Sequence, residues 1–212
     1  MMKWRNKHAW MKVMFMAGTI VLLGTGCSFL YGDSLQDSEA VTDVTEADDP
    51  WEVIPFEAKN QDGEKVTEED LSGDYWVANM VFTTCPTVCQ TMTPNMVQVQ
   101  EAVAEEDIDA RIVSFTVDPE FDSPEQLTEY GEAYGADFEN WDFLTGYSPD
   151  EISTFAGESF GAVIQEVPEQ NDILHSTRFY LVNPDGQVIR FYQGEESFDL
   201  DAVIQDLENV ID

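Results

Sequence analysis

Tyr75-Trp76-Val77-Ala78-Asn79-Met80-Val81-Phe82-Thr83-Thr84-Cys85-Pro86-Thr87-Val88-Cys89 joins a short aromatic and β-branched apolar run to a loop that carries two thiols. The first eight residues read as a buried strand. Thr93 followed by Pro94 reads as an N-cap and first position, which predicts a helix over residues 94–105. The thiols then sit between a core strand and a helix. If their turn is helical, the i, i+4 spacing puts both side chains on one face with Cβ atoms about 5–6 Å apart. Such a pair can share one metal ion, or close a disulfide after a small adjustment, since bridged Cβ atoms lie about 3.5–4.5 Å apart. A helix N-terminus also favours thiolate over thiol. The bland alternative is a pair of buried structural cysteines, set against the fact that the chain holds only three cysteines.

Outward from this stretch, strands and helices alternate. An Asp62-Gly63 turn between residues 51–58 and 65–66 predicts a hairpin. Strands are expected over residues 110–117 and 141–144, with a further short one over 162–167. Ser123-Pro124-Glu125 and Ser148-Pro149-Asp150-Glu151 each combine an N-cap serine, proline at the first position and acids in the first turn, so each opens a helix. Asn183-Pro184-Asp185-Gly186 joins two more strands, and residues 200–211 form an amphipathic closing helix. The pattern predicts an α/β domain with a central mixed sheet covered by helices on both faces.

The chain has 212 residues and a formal charge of −34, yet four of its nine basic residues (Lys3, Arg5, Lys7, Lys12) precede every acid. From Cys27 onward five basic residues face forty-three acidic ones. That balance argues against nucleic acid and anionic headgroups as partners. Strong apolar periodicity beyond residue 50 excludes general disorder. Acids spread over every segment suggest a surface adapted to high salt, where self-repulsion is screened.

Residues 1–26 have the form of an export signal: a basic start, an apolar core over 13–23, then Gly24-Thr25-Gly26. Cys27 after these small residues resembles the lipidation site of bacterial lipoproteins, although the leucine stands at Leu23 where Gly24 would carry it. An uncleaved signal anchor is the competing reading. Residues 27–50 are polar and acidic without periodicity, and are expected to be a flexible tether for a domain spanning 51–212.

The mature chain holds one histidine, His175, in a loop leading into an expected strand. On spacing alone its role stays open between ligand and structural residue. Two thiolates and one imidazole form a soft, low-coordinate set that suits copper. Structural zinc wants four ligands, and no second Cys/His pair supplies them. A Cys-x-x-x-Cys pair in an oxidising compartment can also cycle between dithiol and disulfide.

Thr84-Cys85-Pro86-Thr87-Val88-Cys89, Val113-Ser114-Phe115-Thr116-Val117-Asp118-Pro119-Glu120, Asp172-Ile173-Leu174-His175-Ser176 and Tyr180-Leu181-Val182-Asn183-Pro184-Asp185-Gly186 together resemble the Sco/SenC family, in order and over residues 51–212. The resemblance implies a thioredoxin-like fold with an N-terminal β-hairpin extension. It implies copper, Cu(I) or Cu(II), bound by Cys85, Cys89 and His175. It further implies delivery of that copper to the dinuclear site in subunit II of cytochrome c oxidase, or reduction of that site's cysteines. Many members carry proline after the second cysteine, where this chain has Gln90. Asp118 belongs to the family pattern and is a second-tier candidate for tuning the site; the alternative is that Asp118-Pro119 merely ends a strand. Met92 and Met96 are read as core. The expectation is a monomeric, lipid-anchored copper metallochaperone on the outer face of the cytoplasmic membrane. Its rivals are a thiol-disulfide oxidoreductase, which needs Cys85 and Cys89 but not His175, and a copper or redox sensor.

Overall fold

The computed structural model describes residues 40–47, 49–170 and 172–211. The expected signal and Cys27 lie outside the described residues. Among those described, no helix is long and apolar enough to cross a membrane.

The core is a mixed sheet. Strand β5 (Tyr75–Val81) runs parallel to β6 (Ala110–Thr116), and β6 parallel to β7 (Trp141–Leu144). On the other side β10 (Arg178–Val182) pairs antiparallel with β5 and with β11 (Gln187–Gln193). Helices α1 (Cys89–Glu105), α2 (Pro124–Tyr134), α3 (Pro149–Phe160) and α4 (Leu200–Ile211) complete the α/β frame. Alternation along β5 sorts the core. Trp76 meets Phe115 and Phe160, while Asn79, facing the other way, accepts from the Ser114 hydroxyl at 2.6 Å, which in turn accepts from Trp141 Nε1 at 2.8 Å.

The starts of α2 and α3 follow the sequence closely. Ser123 and Ser148 cap them, each in a reciprocal capping box, and Gly135 and Gly161 end them with positive φ. The N-terminal hairpin is also present, as β3 (Glu57–Lys59) and β4 (Lys65–Thr67), but Pro55 separates β3 from a distinct strand β2 (Trp51–Glu52) that pairs with β11. The hairpin docks on the end of β7, through reciprocal backbone bonds between Lys59 and Thr145 at 2.7 and 2.8 Å.

Two expectations need correction. Helix α1 starts at Cys89, with Pro94 inside it. Pro94 removes only the bond to the carbonyl of Gln90, an exposed residue in the first turn where water can serve instead. Thr93 is not a cap; it is fully buried, with its hydroxyl 2.5 Å from the Tyr130 hydroxyl. Second, the tether does not extend to residue 50. Strand β1 (Val41–Asp43) pairs antiparallel with β11, and Ala40 and Val41 are buried. Arg190 on β11 fixes it further, with Nη1 2.7 Å from Asp43 Oδ1 and Nε 3.3 Å from Asp206 Oδ2 on α4. The sheet thus reads β1-β11-β10-β5-β6-β7, with β2 alongside β1 on β11.

Candidate metal centre

The cysteine loop leaves the C-terminal end of β5 and enters α1. The Cys85 N–H donates to the Phe82 carbonyl at 3.3 Å, and the Cys89 N–H donates to Cys85 Sγ at 3.4 Å. Both thiols are free; Cys85 is 9% exposed and Cys89 1%. His175 arrives from the other side of the sheet. It follows β9 (Asp172–Leu174), which forms a two-stranded ribbon with β8 (Gln165–Val167), and precedes β10. The β8–β9 ribbon thus meets the cysteine loop, through Asp172 on Thr87 and His175 beside Cys89.

Sγ of Cys85, Sγ of Cys89 and a ring nitrogen of His175 all lie within 4.8 Å of one another. His175 Nε2 is 3.8 Å from Cys89 Sγ. A metal ion held in a trigonal plane at about 2.0–2.3 Å needs ligand atoms roughly 3.5–4 Å apart, so the triangle needs little closing. The ring is oriented for ligation. Its Nδ1 is 2.9 Å from the Ser176 carbonyl, which only accepts, so Nδ1 carries the proton and Nε2 presents a lone pair to the sulfurs. The Phe82 ring packs edge-on against the imidazole at 5.8 Å.

The two thiols are electrostatically unequal. A hydrogen bond from Cys89 holds the Cys85 thiol well below the usual range, against an opposing effect of burial, with further donation from the backbone N–H groups of Cys89 and Thr87. Cys89 is pushed up by that same hydrogen bond and by its burial. The apo pair is therefore one thiolate and one thiol. Behind Cys89 the Tyr130 hydroxyl lies within hydrogen-bonding reach of Sγ and continues to Thr93. Thr87 ties the loop to β9, with its hydroxyl 3.8 Å from Cys85 Sγ and donating to Asp172 Oδ2 at 3.3 Å.

Met92 and Met96 are fully buried in the core cluster, as expected. Asp118 ends the β6 segment: its N–H donates to Thr116 Oγ1 at 3.0 Å, and its carbonyl accepts from the backbone of Phe121 and Asp122. The acid that does reach the root of the cysteine loop is Asp122, whose carboxylate accepts from the N–H and hydroxyl of Thr83. Sequence reasoning missed it. The available signal was a regularity: threonine stands at the C-terminal end of each of the three parallel strands, at Thr83, Thr116 and Thr145, and Asp122 gathers all three.

A thioredoxin-like α/β frame that brings two thiols and an imidazole to one strand end can hold a soft metal ion, and its thiol pair has the spacing to cycle between dithiol and disulfide. The SCO1/SenC family model matches residues 44–212, and the chain belongs to that family. It is 45% identical over 159 residues to the SCO1 protein homolog of Bacillus subtilis, covering 75% of this chain and 82% of the relative. The crystal structure of a SCO1/SenC family lipoprotein from Bacillus anthracis superposes with a TM-score of 0.73 at 37% identity, over 77% of this chain and 96% of that one. Copper-bound ScoI of Arabidopsis thaliana superposes with a TM-score of 0.62 at 27% identity, over 74% and 98%.

Proposed function

We propose that this protein is an extracytoplasmic copper metallochaperone that delivers copper to the dinuclear site of cytochrome c oxidase subunit II during assembly. One observation carries the reading: Cys85, Cys89 and His175 converge within 4.8 Å although His175 stands 86 residues beyond Cys89 in sequence. Copper is the cargo. Cys85 and Cys89 hold Cu(I) as thiolates, and the Nε2 lone pair of His175 completes the site for Cu(II). Cys89 gives up its proton on loading. The partner's thiol approaches from the side of Cys85 and half-buried His175, so the bond to buried Cys89 is the last to break. The copper-bound relative supports the metal. The lipoprotein relative supports lipidation at Cys27. On this reading that lipid holds a monomeric domain at the outer face of the cytoplasmic membrane.

The unequal thiols favour a second reading, a thiol-disulfide oxidoreductase in which the Cys85 thiolate attacks a partner disulfide and Cys89 resolves the mixed disulfide. His175 separates the two. The test is Cu(II) titration of the reduced full-length chain in detergent, followed by thiolate-to-copper absorption, for wild type and His175→Ala. Stoichiometric binding that weakens at least 100-fold in the variant supports the metallochaperone. Oxidation of the pair to a disulfide without a stable complex, at the same rate in both, selects the oxidoreductase.

A further inference from the structure

Among the described residues Asp122 is the one carboxylate or cationic side chain that is buried, with no exposed surface. No cation faces it. Desolvation raises its pKa, Asp118 raises it further, and only hydrogen bonds from Thr116 and Thr83 oppose the rise. An unpaired buried carboxylate is a poor device for stability, since a neutral side chain avoids the cost of desolvating it. Its placement suggests a different use.

The carboxylate grips both polar atoms of Thr83. The Thr83 N–H donates to Oδ2 at 3.1 Å, and its hydroxyl donates to Oδ1 at 2.5 Å. Thr116 Oγ1 donates to Oδ2 from the end of β6. The backbone is fixed as well: the Asp122 N–H donates to the Asp118 carbonyl at 2.8 Å, and its carbonyl accepts from Thr145 Oγ1 at 2.7 Å beyond β7. One residue thus joins the ends of all three parallel strands. Thr83 is also the residue from which the cysteine loop departs. It follows Phe82, whose carbonyl receives the Cys85 N–H and whose ring bears on His175. The direction of Thr83 therefore decides where Cys85 leaves the strand and where the Phe82 ring sits against the imidazole.

We infer that Asp122 is a positioning residue, which through Thr83 holds Cys85, Cys89 and His175 at ligating distance. The inference deepens the copper reading and rests on it for affinity. Asp122 touches neither thiol nor imidazole in the described contacts; it acts on the frame that carries them.

The test compares Thr83→Val, Thr83→Ser, Asp122→Asn and, as a control, Thr145→Val in the full-length chain. Thr145→Val also removes a buried hydrogen bond from Asp122, but from its carbonyl. Cu(I) affinity is read by competition with bicinchoninate, the Cu(II) site by its thiolate absorption band, the thiol pair by its reduction potential, and folding by thermal melts. Thr83→Val and Asp122→Asn are expected to weaken Cu(I) binding by about 10–100-fold and to shift the band, as losses of supporting contacts around metal sites do. Thr83→Ser should return affinity and band to wild type, and Thr145→Val should lower the melting temperature while leaving affinity within about twofold. A folded Thr83→Val with wild-type affinity, band and potential overturns the inference, as does a Thr145→Val that weakens copper equally. If Asp122→Asn fails to fold, the two Thr83 variants decide. If wild type binds no copper, the functional reading falls, and the potential still decides: a shift in Thr83→Val supports positioning and an unchanged value refutes it.

Discussion

Alkylation of Cys85 by iodoacetamide across pH 4.5–7.5 measures the inequality of the two thiols directly. An ordinary cysteine, with a pKa of about 8.5, is roughly 3% thiolate at pH 7 and about one part in 3,000 at pH 5. Its rate therefore rises about tenfold per pH unit. The hydrogen bond from Cys89, helped by the backbone N–H groups of Cys89 and Thr87, lowers Cys85 to about 3, so it is thiolate throughout this range. Nucleophilicity falls with basicity by a factor of about 0.4–0.5 in the logarithm, which across this drop makes each Cys85 thiolate roughly 300-fold less reactive. Cys85 should then react about tenfold more slowly than an ordinary cysteine at pH 7 and about tenfold faster at pH 5, with a crossover near pH ~6. Burial scales the whole profile equally, so the readout is its shape, obtained by mass spectrometry of the peptide containing Cys85. Wild type should be flat within about twofold, and Cys89→Ala, which removes the principal donor, should steepen toward the ordinary profile. A tenfold rise per pH unit in wild type would refute the assignment of thiolate to Cys85.

Arg190→Met leaves Asp43 and Asp206 without their shared cation; with these groups only partly buried the cost is about 2–4 kcal/mol, seen as a melting temperature lowered on the order of 10 °C. A chain beginning at Trp51 lacks β1 and its Val41 burial, worth about 1.5–3 kcal/mol, and should melt below the full-length chain; equal melting would show that β1 contributes nothing. Gly194→Ala places a Cβ 2.5 Å from the carbonyl of Thr177, two residues past His175, and 2.7 Å from the Phe179 ring. It should cost about 1–3 kcal/mol in denaturant melts and weaken Cu(II) binding more than Cu(I) binding. Melting temperature should rise between 0.1 and 2 M NaCl, because the Debye length falls from about 10 Å to below about 3 Å around a surface of forty-three acids; a flat or falling series rejects adaptation to salt.

The site was legible because its chemistry is scarce. With three cysteines and two histidines in the whole chain, Cys85, Cys89 and His175 stood out before any geometry was known. Helices α2 and α3 were legible because serine caps and N1 prolines act locally. The start of α1 was misplaced because the same local rule pointed at Thr93-Pro94, while burial of Cys89, Met92 and Thr93 against the sheet extended the helix a turn earlier. Strand β1 was hidden because three residues in an acidic stretch become a strand only through β11, far along the chain. Asp118 and Asp122 lie one turn apart in the same acidic segment, and only burial distinguishes the half-buried candidate from the fully buried hub.

The strand that pins Ala40 onward to β11 also closes one side of the sheet. Together β1 and β2 occupy the outer side of β11, so the hydrogen-bonding groups of that strand are used within the chain rather than offered to a second molecule. What is left at that rim is two strands of three and two residues, one ending in Asp43 and the other in Glu52, too short and too charged to serve as a template for strand addition.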